Sequence, residues 1–306
     1  MPSDLKTSLV ARPHAAAKPT VIIGWAPLFI VPSAVVLLRS QFPAWVFMWL
    51  LAVAIFSGLK WVTWWRARTI VPHKAWRSAA YLLAWPGMEA DSFLDARCMP
   101  PKPSLAQWLY ALIEASFGAG FIWVVARRVP SDWGLLQGWV GMAGLIFLLH
   151  FGSLRLLALF WQSVGVKASP IMSAPALSQS LSEFWGKRWN LGFRQLAHEL
   201  IFRPLCRRIG IAAAGFLVFV ASGLIHDLVI SLPARGGYGL PTGYFVLQGI
   251  GVTVERSFVG ERLGLRGGLP GWLFMAVFTA GPAFWLFHPP FVTRVMVPFL
   301  RAIRAL

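Results

Sequence analysis

Long apolar runs alternate with short polar or basic stretches along this chain. A helix that crosses a bilayer needs about 20 mostly apolar residues. Seven runs approach or reach that length: 21–38, 43–62, 105–126, 134–152, 209–231, 240–257 and 270–288. An eighth, 290–304, is shorter and basic, which suits an interfacial helix or a final partial span. Residues Ala79 to Met88 are apolar but too few to cross, and Pro86-Gly87 stops them. That pattern predicts a buried half-helix or re-entrant piece. No internal repeat and no long Gly/Ser linker is visible, so the pattern predicts a single membrane-embedded domain over 1–306. The expected fold is all-α, a polytopic membrane protein of seven to eight transmembrane helices with interfacial and re-entrant pieces.

Composition sharpens the picture. Of the 306 residues 57% are hydrophobic and 13% charged, against about 25% charged in an ordinary globular domain. Disorder, a coiled coil and a collagen-like fibre are excluded, and a soluble enzyme fits poorly. The 17 Trp and 23 Phe suit membrane interfaces and lipid-facing surfaces. Lys and Arg total 28 against 11 Asp and Glu, a net charge of +17. These cations sit between the apolar runs, which favours the positive-inside rule and anionic headgroups over nucleic acid as the explanation. Seven lie over 60–102 and eight over 153–208, whereas Arg39 and Arg235 stand alone in the loops between. The residues 1–20, a basic tail, and the long connection 153–208 are therefore expected on the cytoplasmic side. Pro27 and Pro32 in the first run, with no small-residue site after it, argue against a cleavable signal peptide. Cys98 and Cys206 are far apart, and the few acidic residues with no Cys/His cluster argue against a metal.

The long cytoplasmic connection carries its own periodicity. Over 176–205, Ser180 and Glu183 form the S-x-x-E pattern of a helix N-terminus. Leu181, Trp185, Trp189, Phe193, Leu196 and Leu200 then share one helical face, with Lys187, Arg188 and Arg194 largely between them. This predicts one basic amphipathic helix in the interface, ended by Pro204. It either anchors the domain to headgroups or offers its cations to an anionic substrate.

Ionisable residues inside a span are functional-site candidates, because unpaired charge in hydrocarbon is costly. His226 and Asp227 lie in the run 209–231, about 27 Å along the helix from Arg208. His150 falls near the end of its run and reads as a helix-end histidine, and Glu255 reads as a solvated helix end. His198-Glu199 is not a zinc-protease motif, since position 202 is Phe. Gly249-Ile250-Gly251 lacks the third glycine of a dinucleotide site, and Gly-x-Ser-x-Gly is absent.

Phe184-Trp185-Gly186-Lys187-Arg188-Trp189-Asn190, followed by Ser222-Gly223-Leu224-Ile225-His226-Asp227, resembles the wax synthase branch of the membrane-bound O-acyltransferases. Trp85-Pro86-Gly87-Met88, the stretch Pro241-Thr242 to Gly249, Glu255, and Phe287-His288-Pro289-Pro290-Phe291 extend the likeness over 85–291. Where plant members tend to have Glu after the histidine, this chain has Asp227. The resemblance implies acyl transfer from acyl-CoA to a long-chain alcohol, giving a wax ester, with His226 as catalytic base and Asn190 as its partner. Acyl-CoA would be a co-substrate, with no permanently bound cofactor and no metal. Lys187, Arg188, Arg194 and Arg203, with Trp185 and Trp189, would receive it, and membrane lipids would surround the domain. A sterol, terpenoid or other small hydroxyl is the alternative acceptor. A transporter is disfavoured by the missing repeat and the scarcity of buried ionisable residues. The bilayer would be a bacterial inner membrane or, in a eukaryote, the endoplasmic reticulum.

Overall fold

The computed structural model describes residues 18–306, with side chains placed from Ile22 onward. The tail expected over 1–20 lies, in residues 1–17, outside the described residues. Helices α1 (Lys18–Leu37), α2 (Ala44–Ala67), α3 (Ala75–Ala84), α4 (Leu105–Arg128) and α5 (Ser131–Ser163) form the first half. Helices α6 (181–188), α7 (191–209), α8 (Ile211–Ala234), α9 (Leu240–Arg256), α10 (Gly268–Leu286) and α11 (289–302) form the second. No strand occurs among the described residues. The protein is an all-helical, polytopic membrane protein.

Among the described residues five helices, α2, α4, α5, α8 and α10, have the length and composition to cross a bilayer. The runs at 21–38 and 240–257 are helical but shorter, 22–37 in its apolar part and 17 residues in α9. Large apolar side chains such as Phe29, Ile30, Leu105, Ile113, Leu224 and Val277 point outward. Such a surface is stable only against lipid.

The spans pack closely because small residues line their contacts, the usual solution where lipid removes the hydrophobic drive between helices. A side chain at Gly118 of α4 would meet the Leu148 backbone of α5, and one at Gly152 of α5 would meet Ala115. The basic stretch 290–304 forms a helix that is packed into the bundle along one side. Its helix α11 buries Val292, Val295 and Met296 in one cluster with Met48, Met142 and Ile230.

Of the half-helix expected over 79–88, residues 79–84 belong to α3 and 85–88 are not helical. After α3 the chain turns extended at Trp85, and Tyr81, Trp85 and Phe93 are buried with Trp161. Lys60, buried on α2, donates from Nζ to the Gly87 carbonyl and lies 3.0 Å from the centre of the Tyr81 ring. The Trp85–Met88 stretch is thereby fastened to a span, where it faces the first turn of α7 around Gly192.

The glycine contacts can be tested directly. Gly118→Leu should cost about 1–3 kcal/mol or more through overpacking, lowering the melting temperature in detergent. Gly120→Leu, in open space two residues on, should leave it unchanged.

Candidate active site

Helix α9 supplies the platform. Its buried face carries Tyr244, Phe245, Gln248 and Glu255. Glu255 is only 2% exposed, so the reading of a solvated helix end is overturned. Its carboxylate accepts the Leu181 N–H at 2.6 Å and the Ser182 N–H at 3.1 Å. The cause is the start of α6: the first N–H groups of a helix lack partners and carry positive potential, and Glu255 meets both needs. Gln248 accepts the Trp185 indole N–H at 3.3 Å and donates to the Phe278 carbonyl at 2.7 Å. One helix therefore grips the aromatic motif at two points.

The N-terminal signal over 180–183 is present in altered form. Ser180 Oγ accepts the Glu183 N–H at 3.0 Å, but the Glu183 carboxylate reaches past Ser180 to the Gln179 N–H at 2.7 Å. It also holds Arg188 at 2.7 Å. The Gln179 N–H, and after it the Arg188 guanidinium, keep the Glu183 carboxyl below the usual carboxylate range.

Residues 176–205 do not form one helix. At Trp189 the chain turns extended, and Asn190 adopts the left-handed conformation, φ 42° and ψ 60°, before α7 begins. Asparagine tolerates that region better than other side chains with a Cβ. Its Oδ1 accepts the Phe193 N–H at 3.4 Å, which caps α7. The side-chain amide Nδ2 has no hydrogen-bond partner among the described residues and is free to donate. Pro204 does not end the helix as expected. A π-bulge over 198–202 precedes it, and α7 runs on to Ile209 and stops at Gly210, whose φ of 82° favours glycine.

His226 sits on α8 with its ring 4.4 Å from that of Phe245. Its Nδ1 is 2.7 Å from the Ser222 carbonyl. A carbonyl only accepts, so Nδ1 carries the proton in the neutral ring and Nε2 presents a lone pair. Nε2 has no hydrogen-bond partner among the described residues. Asp227 faces elsewhere: its Oδ2 accepts the Gly239 N–H at 2.7 Å and the Thr242 hydroxyl at 2.9 Å, fixing the start of α9. The fully buried His288 closes the same end, accepting the Phe291 N–H at 3.2 Å on Nδ1 and donating from Nε2 to Ser231.

No hydrogen bond joins His226 to Asn190 among the described residues. A chain of rings links their neighbourhoods instead. Phe245 lies 5.6 Å from Trp185, Trp185 lies 5.0 Å from Phe184, and Phe184 stacks on Trp189 at 5.4 Å. Phe193 and Leu196 of α7 also share a core with Ile225 of α8. Trp185 and Trp189 are thus half-buried links between the two candidate residues. The ring chain continues to His150, stacked on Trp189 at 6.2 Å. His150 is not a helix-end histidine, because it lies within α5 in a π-bulge over 146–153.

The cations divide. Arg188 is paired with Glu183 and directed at the Ser173 carbonyl, 3.3 Å away. Lys187, Arg194 and Arg203 are exposed and have no carboxylate partner among the described residues. Cys98 and Cys206 are free thiols.

Residues 168–247 match the Membrane bound O-acyl transferase family, which takes in Asn190, His226 and the Trp185 link to Phe245. The resemblance to the wax synthase branch of that family is borne out by individual relatives. The chain is 29% identical over 145 residues to "Probable long-chain-alcohol O-fatty-acyltransferase 7" of Arabidopsis thaliana, covering 42% of each chain. It is 30% identical over 142 residues to the long-chain-alcohol O-fatty-acyltransferase of Simmondsia chinensis, covering 42% of this chain and 40% of that one. An acyl-CoA–sterol O-acyltransferase of Arabidopsis thaliana is 26% identical over 137 residues, covering 41% of this chain and 39% of that one. The chain spans about two-fifths of the length of these relatives.

Asn190 holds a backbone conformation, a cap and a free amide at once, and substitutions separate the three. Asn190→Asp keeps the cap and tolerates the left-handed turn but loses the amide N–H. If that donor serves catalysis, turnover should fall about 10²–10³-fold with the melting temperature within a few degrees of wild type. The Glu183 carboxyl gives a pH prediction. Because its folded pKa is depressed, its stabilisation is complete above the unfolded carboxylate value of about 4.3 and is lost as pH falls through the folded value. Melting temperature should therefore drop below about pH 4, and Glu183→Gln should flatten that part of the profile.

Proposed function

We propose that this protein is an acyl-CoA:alcohol O-acyltransferase that esterifies a long-chain alcohol to a wax ester. The observation that carries the reading is His226: its Nδ1–H is committed to the Ser222 carbonyl, its ring packs on Phe245, and its Nε2 is left free to act as a base. As the alcohol oxygen attacks the thioester carbonyl, its proton passes to His226 Nε2. The free Asn190 amide donates to acyl-CoA on the thioester side of the ring chain and orients the carbonyl toward His226. Collapse of the tetrahedral intermediate breaks the C–S bond, and the coenzyme A thiolate takes the proton back from the imidazolium. Ester and free thiol leave, and His226 returns to its neutral tautomer.

The two substrates arrive from different phases. Acyl-CoA comes from the cytoplasm, where the exposed Lys187, Arg194 and Arg203 meet its phosphates. Arg188 serves instead to brace the motif through Glu183. The alcohol, uncharged and apolar, partitions in from the lipid. No bound metal and no permanent cofactor enters this chemistry. A sterol acceptor is the second reading, favoured by the likeness to the acyl-CoA–sterol O-acyltransferase.

The test incubates purified protein in lipid nanodiscs with radiolabelled palmitoyl-CoA and either hexadecanol or a sterol. Hexadecyl palmitate is the expected product; sterol ester alone would move the assignment to the second reading, and neither product would sink both. His226→Ala should lower turnover by about 10²–10⁴-fold in folded protein, and retention of a tenth of wild-type turnover would remove His226 as the base. Replacing Lys187, Arg194 and Arg203 together by Gln should raise KM for palmitoyl-CoA and spare KM for hexadecanol. Added salt should act in the same direction, since exposed charges are screened over about 8–10 Å near physiological ionic strength.

A further inference from the structure

We infer that His150 is a contact for acyl-CoA, taking a hydrogen bond with an amide of the pantetheine arm beside Asn190. The inference rests on the reading above that acyl-CoA is the donor.

The imidazole of His150 is held in a way unlike that of His226. On the regular helix α8, the His226 Nδ1 reaches the carbonyl four residues back. On α5 the π-bulge over 146–153 alters the carbonyl ladder, and the His150 Nδ1 is buried with no hydrogen-bond partner among the described residues. A buried ring nitrogen left unpaired is costly, and π-bulges recur at functional sites. Its placement is specific. Within the bulge, α5 is packed closely onto α4 through Gly152 and Ala115. The imidazole itself lies nearly parallel to Trp189, with an interplanar angle of 17°, directly before Asn190 in the chain.

Chemistry narrows the partner. A long-chain alcohol has one polar group, and the proposed reaction commits it to His226 Nε2. Between His226 and His150 stand Phe245, Trp185, Phe184 and Trp189. A second polar contact at His150 therefore calls for a ligand with polar groups along an extended chain. The pantetheine arm, with its two amides, has that character. It must also pass the cytoplasmic connection that holds Trp189 to bring the thioester to Asn190. The imidazole can accept an amide N–H or donate to an amide carbonyl.

The experiment measures binding, so that it does not depend on turnover. A thioether analogue of palmitoyl-CoA that keeps the carbonyl but lacks the scissile bond is titrated against wild-type, His150→Phe and His150→Gln protein, by thermal shift in detergent. Phe keeps the stacking on Trp189 and removes both nitrogens; Gln restores a polar group. Phe should weaken the analogue about tenfold, with Gln between Phe and wild type, and free coenzyme A should be weakened equally. In the transfer assay KM for palmitoyl-CoA should rise while KM for hexadecanol stays within about twofold. Unchanged affinity in both variants, or weakening confined to the acylated analogue, would overturn the pantetheine contact. If His150→Phe does not fold, His150→Gln decides by the same criteria. Failure of the wild type to make ester while it binds the analogue would count against the proposed reaction and leave the contact standing.

Discussion

The arrangement depends on a buried carboxylate placed on the start of a helix. Glu255 takes the first N–H groups of α6, and this fixes where the aromatic motif begins relative to α9. In hydrocarbon an unpaired carboxylate and an uncapped helix end are each costly, so bringing them together relieves both. Gln248, seven residues earlier and on the same face of α9, repeats the attachment through Trp185. Phe245, a turn further, touches both that tryptophan and His226. Three residues on one face of a short helix thus set the distance between the aromatic motif and the histidine.

The polar groups at the opposite end have a complementary task. Asp227 and His288, both within the segments that resemble the family, hold the connection between α8 and α9 rather than facing Phe245. That frees His226 from a carboxylate partner. Its tautomer is set by a backbone carbonyl of its own helix, which requires no neighbour to move into place. The site is assembled mainly by helix packing and backbone geometry.

Much of this was legible in the sequence, and the failures have physical causes. Apolar runs of about 20 residues give spans because the bilayer permits few alternatives, and α2, α4, α5, α8 and α10 appear where those runs lie. His226 stood out because a histidine inside such a run demands explanation. The break at Asn190 did not, because the apolar spacing from Leu181 to Leu200 continues through it; only the tolerance of asparagine for a left-handed turn hinted at it. The burial of Glu255 has no signal in its own neighbourhood of the chain. Its partners, the Leu181 and Ser182 N–H groups, are 74 and 73 residues away and depend on how α6 docks. His150 was passed over because a π-bulge has no signature in hydrophobic periodicity.

If the proposed reaction holds, the row of rings from Phe245 to Trp189 has a further consequence for the competition between acceptors. A thioester beside a competent base can be opened by water as readily as by an alcohol, and cytoplasmic water vastly outnumbers any lipid alcohol. Stacked and edge-packed aromatics offer water few hydrogen bonds, so the rings between Trp189 and His226 give water little to follow toward the imidazole. An alcohol dissolved in lipid need not travel that route. Under the proposed reaction, selectivity for alcoholysis over hydrolysis would follow from which phase each competitor occupies, and an opening in the ring row would favour loss of the thioester to water.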